Sequence, residues 1–96
     1  MKAELLYCQK ETKAGYIREL VVWRVKQPVS GCTHLFKYRF YFGTDDGTCL
    51  VRYDNERGKG DHRHIVDNEH PYTFHGIKKL LIDFDSDILQ IIEANR

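Results

Sequence analysis

Twelve residues, Tyr53-Asp-Asn-Glu-Arg-Gly-Lys-Gly-Asp-His-Arg-His64, hold three acids, three bases, two histidines, two glycines and one asparagine, with Tyr53 as the one large apolar body. A stretch so polar is expected as a surface loop, flexible around Gly58 and Gly60. His62 and His64 stand two apart, so in an extended segment both point to one side. Imidazole titrates near neutrality, which suits proton transfer. Two such groups beside cations are the equipment of metal-independent RNA cleavage. One takes the 2′-hydroxyl proton, the other protonates the leaving 5′-oxygen, and Arg or Lys stabilises the charge on the phosphate. In that reading His62, His64 and Arg57 form the catalytic set, and Asp61 orients a histidine. Arg57, Lys59 and Arg63 bind phosphate, and the glycines let the backbone approach an anion closely.

Other chemistries fit the same stretch. Glu56, Asp61, His62 and His64 are all possible metal ligands. No cysteine pair or HExxH helix supports zinc, so no metal and no cofactor is assigned. A solvated loop with incidental histidines is the bland alternative. Arg57 and His62 also match an Arg-x4-His spacing of an all-helical ribonuclease class, but the context here is strand-rich. Gly58-Lys59-Gly60 is too short for a phosphate loop, and no Gly-x-Ser-x-Gly elbow occurs. Cys8, Cys32 and Cys49 show no activating pattern and read as small core or loop residues. His34 reads as a turn residue near the loop.

The elements that must position this stretch are mostly strands. Residues 3–9 read as a short strand, and Gly15 marks a turn. Residues 16–26 alternate with Ile17, Val21, Trp23 and Val25 toward the core and Arg18 and Arg24 away, although Glu19 and Val22 break the pattern. Pro28 to Thr33 is a loop. Phe36, Tyr38, Phe40 and Phe42 alternate with Lys37, Arg39 and Tyr41 over residues 35–43. Asp45-Asp46-Gly47 is a hairpin turn. Cys49, Val51 and Tyr53 face the core from the next strand, opposite Leu50, Arg52 and Asp54. His62 to Val66 forms a further short strand, Asn68 to Pro71 a turn, and residues 72–75 an extended segment. From Gly76 to about Ala94, Ile77, Leu80, Leu81, Phe84, Ile88, Ile91 and Ile92 fall on one helical stripe, with Asp83, Asp85, Asp87 and Glu93 mostly off it. The expected fold is α+β: an antiparallel meander of about four to six strands, one face covered by the C-terminal helix.

The uncovered face then presents Arg18, Arg24, Lys37, Arg39, Tyr41, Arg52 and Asp54. Cations on phosphates and Tyr41 under a base would hold single-stranded RNA. Water-exposed sheet faces are also commonly charged with no ligand at all.

With 96 residues the chain makes one domain, 1–96. Net charge is +1, and it is unevenly spread: residues 1–33 carry six Lys/Arg and three Asp/Glu, whereas residues 65–96 carry three and six. A nearly neutral whole argues against bulk electrostatic binding to DNA. Three cysteines without CxxC spacing argue against a secreted disulfide scaffold. No signal-peptide pattern or membrane-length apolar run occurs, so the cytoplasm is the expected compartment and no membrane partner is expected.

Ala3-Glu-Leu-Leu-Tyr7, Leu20-Val-Val-Trp-Arg-Val25, His34-x-x-Lys-Tyr-Arg39 and the stretch Arg52 to His64 together resemble the TumE-type family of small toxin–antitoxin proteins. The likeness covers nearly the whole chain, down to the helix beginning near Gly76, and the Tyr53–His64 motif is its most specific part. The resemblance implies a toxin expressed beside a cognate DNA-binding antitoxin that neutralises it. The ribonuclease reading comes from the residues, not from the resemblance. Its alternative is a non-catalytic module that grips RNA or an acidic protein with the same basic face and the 53–64 loop. An exposed edge strand would also allow a homodimer.

Overall fold

In a computed structural model, which describes residues 3–95, six strands run in sequence order. They are β1 (Glu4–Lys13), β2 (Tyr16–Arg24), β3 (Phe36–Thr44), β4 (Cys49–Glu56), β5 (Gly60–Ile65) and β6 (Asn68–Pro71), followed by helix α1 (Ile77–Ala94). Every neighbouring pair is antiparallel, which is the expected meander. Links of two to four residues force the reversal at four of the five connections, and the 25–35 loop makes the one between β2 and β3. Helix α1 packs most closely over β4.

The helix buries Leu80, Phe84 and Ile88, one residue per turn of its apolar stripe. Beneath them lie Leu20, Val22, Tyr38, Phe40, Phe42, Val51 and Tyr53. Phe84 meets Phe40 and Tyr53 edge-on, at centroid separations of 5.3 and 5.5 Å, a favoured aromatic arrangement.

The register of β2 is the reverse of the expected one. Leu20 and Val22 belong to the helix-side core, and Val21 and Trp23 lie on the other face. Leu20-Val-Val-Trp23 is apolar on both faces, so alternation alone does not choose between them. Pairing with β3 chooses, since Leu20 sits opposite Phe40 and Val22 opposite Tyr38. Arg18 therefore lies on the helix side, where it grips Asp85 at 2.7 Å and Glu11 at 3.2 Å. Arg24, opposite Phe36, also leaves the open face. A register shift after Phe42 pairs Cys49 with Gly43 and takes Cys49 out of the core row.

Two further differences have local causes. The Asn55–Asp61 loop is a hairpin: β4 continues to Glu56, the turn occupies residues 57–59, and β5 begins at Gly60. Residues 68–71 form β6 rather than a turn, because the reversal is made one step earlier at Val66-Asp67. Val66 adopts φ +56° there, a conformation that strains a β-branched residue. Left-handed backbone costs a residue with a Cβ roughly 1–2 kcal/mol, and asparagine tolerates it best. Because Val66 is half exposed, Val66→Asn is expected to raise stability by about 0.5–1 kcal/mol. A higher urea midpoint with an unchanged slope checks this, and a lower midpoint contradicts it.

Candidate functional site

Sheet pairing sets the site out in two rows across the open face. One row runs Glu19, Tyr41, Arg52, His64, Glu69, and the next runs Val21, Arg39, Asp54, His62. His62 and His64 share a face because they are two apart on β5, with ring centroids 6.3 Å apart. Asp54 and Arg52 lie directly opposite them on β4.

His64 is held at both nitrogens. Arg52 donates to Nδ1 at 3.1 Å, since a guanidinium only donates. The proton of His64 is therefore on Nε2, which reaches Glu69 Oε2 at 2.8 Å. His62 is only 5 % exposed, and Asp54 is 8 % exposed. His62 Nδ1 lies 3.2 Å from the Gly60 carbonyl oxygen, which only accepts, so Nδ1 carries the proton. His62 Nε2 stands 2.7 Å from Asp54 Oδ1, yet the contact is out of line and neither atom has a hydrogen-bond partner. Arg52 Nε approaches the other Asp54 oxygen at 3.5 Å. Burial pushes the Asp54 carboxyl above its ordinary range, while His62 and Arg52 pull it down.

The rest of the open face carries the expected cations. Lys37 lies over the Trp23 ring at 5.6 Å, and Arg39 reaches Glu19 at 3.5 Å. Tyr41 lies flat across Gly43, where any Cβ would strike its hydroxyl. Arg57 and Lys59 lie in the hairpin turn, on either side of Gly58, and are exposed. A hollow of about 680 Å³ brings Lys37, Asn55, Glu56 and Arg57 together with the loop Gln27–Ser30.

Asp61 and Arg63 are placed differently from the other members of their motif. Both face the helix side. Asp61 Oδ1 accepts from the Tyr38 hydroxyl at 2.7 Å and from His34 Nε2 at 2.9 Å. Arg63 binds Asp87 at 3.3 Å and the Tyr53 hydroxyl at 3.1 Å. Asp61 thus orients neither His62 nor His64. The carboxylates that touch those histidines are Asp54 and Glu69. Strand alternation is the signal that finds them, once residues 54–64 are read as a hairpin and residues 68–71 as a strand.

A second cluster on the helix side joins Cys32, His34 and Asp61, whose ligand atoms lie within 4.8 Å of one another. His34 Nδ1 accepts from the Phe36 amide at 3.2 Å, so Nε2 carries the proton that reaches Asp61. That tautomer has no lone pair left for a metal. Burial raises the Cys32 thiol above its ordinary range, which keeps it protonated and unreactive. Tyr38 is likewise pushed up by burial and by Asp61, so its hydroxyl remains a donor. This cluster fastens the 32–34 loop to the hairpin.

A six-stranded meander backed by one helix, with carboxylate–histidine pairs and cations on its bare face, defines a small α+β protein. The family model described as Toxin TumE matches residues 2–92, and the chain belongs to that toxin family. It is accordingly the toxin of a toxin–antitoxin pair, with an antitoxin as partner. No curated protein and no solved structure matches it. Among the described residues, no helix is long and apolar enough to cross a membrane.

Proposed function

We propose that this toxin acts on RNA and cuts its backbone at the β4–β5 hairpin. The observation that supports this best is the position of Arg52, which touches both His64 Nδ1 and the Asp54 carboxylate. A phosphate arriving on the open face competes for that guanidinium, which suits bidentate phosphate binding. Arg52 then releases the Nδ1 lone pair, and His64 takes the 2′-hydroxyl proton. The 2′-oxygen attacks the adjacent phosphorus and the 5′-oxygen leaves, taking a proton from solvent water, whose hydroxide is neutralised by the proton on His64. Glu69, on Nε2–H, holds the ring and stabilises the imidazolium, as an acid paired with a catalytic histidine does. Lys37, Arg39, Arg57 and Lys59 grip neighbouring phosphates, and Tyr41 offers a ring to a base. Asp61 and Arg63 support the hairpin from behind.

The second reading is binding without chemistry. It is favoured by one observation: both nitrogens of His64 are engaged and His62 is buried. Single-stranded RNA binding measured by anisotropy over a range of salt is expected to weaken as salt rises. Replacing Lys37 and Arg39 by alanine is expected to lower the salt slope by about 1 per lost phosphate contact. Incubating a defined RNA with the purified toxin then separates the readings. Strand scission by the wild type supports the ribonuclease, and tight salt-sensitive binding with intact RNA supports the binding module. If the toxin neither binds nor cuts RNA, RNA is not its target.

A further inference from the structure

The contact between His62 and Asp54 is chemically incomplete. The Gly60 carbonyl oxygen, 3.2 Å from Nδ1, holds a ring proton there, so in the neutral ring Nε2 presents a lone pair. The atom it faces, Asp54 Oδ1 at 2.7 Å, is also an acceptor. Both atoms are buried and neither has a hydrogen-bond partner. Two desolvated lone pairs this close require something positive beside them.

More negative charge converges on the same point. Glu56 places a carboxylate oxygen within 4.8 Å of the other two ligand atoms, and Glu69 Oε2 lies 3.6 Å from His62 Nε2. Among the described residues, the one Lys or Arg within 4 Å of these three carboxylates is Arg52, 3.5 Å from Asp54. Two negative charges are left over. A protonated His62 would cancel one of them, whereas a divalent cation cancels both. A histidine whose far nitrogen donates to a backbone carbonyl is also how proteins hold an imidazole toward a metal. A surface hollow of about 320 Å³ lies beside the site, lined by His62 and Glu69 together with Lys59, Asp61 and His70.

We propose that Asp54, Glu56, His62 and Glu69 hold one divalent first-row metal ion on the open face of the β4–β5 hairpin. One imidazole with carboxylates suits ions of the Mn²⁺ to Zn²⁺ range better than Mg²⁺, which prefers an all-oxygen shell. The ligand set differs from the one suggested by composition. The hairpin turns Asp61 away and gives His64 to Glu69 and Arg52, and alternation puts Asp54 and Glu69 in their places. The ion ties β4, β5 and β6 together, and its binding goes beyond the RNA reading without depending on it.

The test uses Mn²⁺ alone with metal-stripped toxin and no RNA, following the paramagnetic resonance signal of the free ion. One Mn²⁺ per chain is expected to bind and to raise the unfolding temperature as its concentration rises. Glu56→Gln, at an exposed position, and Asp54→Asn are each expected to weaken binding about tenfold or more. Cys32→Ser is expected to bind as the wild type does. No uptake at millimolar Mn²⁺ overturns the site and leaves His62–Asp54 as a proton-held pair. Uptake that survives both carboxylate substitutions undiminished overturns it as well, by placing the ion elsewhere. Because no RNA is present, failure here leaves the RNA reading standing, and failure to bind or cut RNA leaves the metal site standing.

Discussion

RNA cleavage by the His64→Ala variant is expected to fall about 10²–10⁴-fold below that of the wild type, the range a positioned acid–base group contributes. The expectation rests on His64 being the histidine of the hairpin with substantial exposure, its side chain 30 % accessible against 6 % for His62. Its proton is placed on Nε2 by Glu69, so the nitrogen nearest Arg52 is the one available to act as base. Alanine removes that lone pair and leaves Arg52 and the strand pairing in place, so the circular dichroism and unfolding temperature should change little. RNA binding should also persist, since the phosphate contacts are made by other side chains. Initial rates of product formation on a defined RNA, at saturating toxin, check the prediction. A variant that cuts as fast as the wild type would deny His64 any part in the chemistry. Equal loss of cutting and of binding would instead make it a positioning residue for the strand.

The parts of this molecule legible in its sequence are those governed by a single strong pattern. The stripe from Ile77 to Ile92 specifies a helix and its buried edge, and Leu80, Phe84 and Ile88 are indeed its buried residues. The alternation from Phe36 to Phe42 specifies β3 and its core face. Where both faces are apolar, as at Leu20-Val-Val-Trp23, the pattern is silent and cross-strand partners decide. The site was harder to read because polarity stood in for exposure. Asp54, Asn55 and His62 are buried, and a run of charged residues gives no hint of that. Asn55 is covered by the 25–35 loop, which folds back onto the hairpin. Ser30 accepts from the Gly58 amide at 2.8 Å there, and any Cβ on Gly31 would come within 2.9 Å of the Gly60 nitrogen. Contacts between residues some thirty positions apart leave no local signature. The three aspartates of the helix make the same point. Asp83, Asp85 and Asp87 lie off the apolar stripe as expected, but they reach sideways to Tyr72, Arg18 and Arg63 rather than only to water.

Asn55→Ala should be the most damaging polar substitution for stability. Asn55 is 2 % exposed. Its Oδ1 accepts from the Tyr38 amide at 2.9 Å, and its Nδ2 donates to the Phe36 carbonyl at 2.7 Å and toward Cys32 Sγ at 3.6 Å. Asn55 therefore completes backbone pairing at the start of β3, where the register between β3 and β4 ends at Asp54. Alanine leaves a buried amide and a buried carbonyl without partners, each costing about 1–3 kcal/mol. A domain of this size has roughly 5–14 kcal/mol of total stability, so the loss is a large fraction of it. Aspartate tests the mechanism, because it keeps the acceptor for Tyr38 but has no donor for Phe36 and adds a charge to a buried position. It should therefore recover little of the loss. Denaturant unfolding of the two variants checks this. If Asn55→Ala moves the midpoint no more than an exposed substitution does, the hydrogen bonds to Tyr38 and Phe36 are replaceable by water, and the 25–35 loop is not anchored through them. If the midpoint falls as expected, the asparagine within the Tyr53–His64 stretch is there for the fold. The residues that alternate with it, Asp54 and Glu56 on its own strand and His62 and His64 across the hairpin, face the opposite side of the sheet.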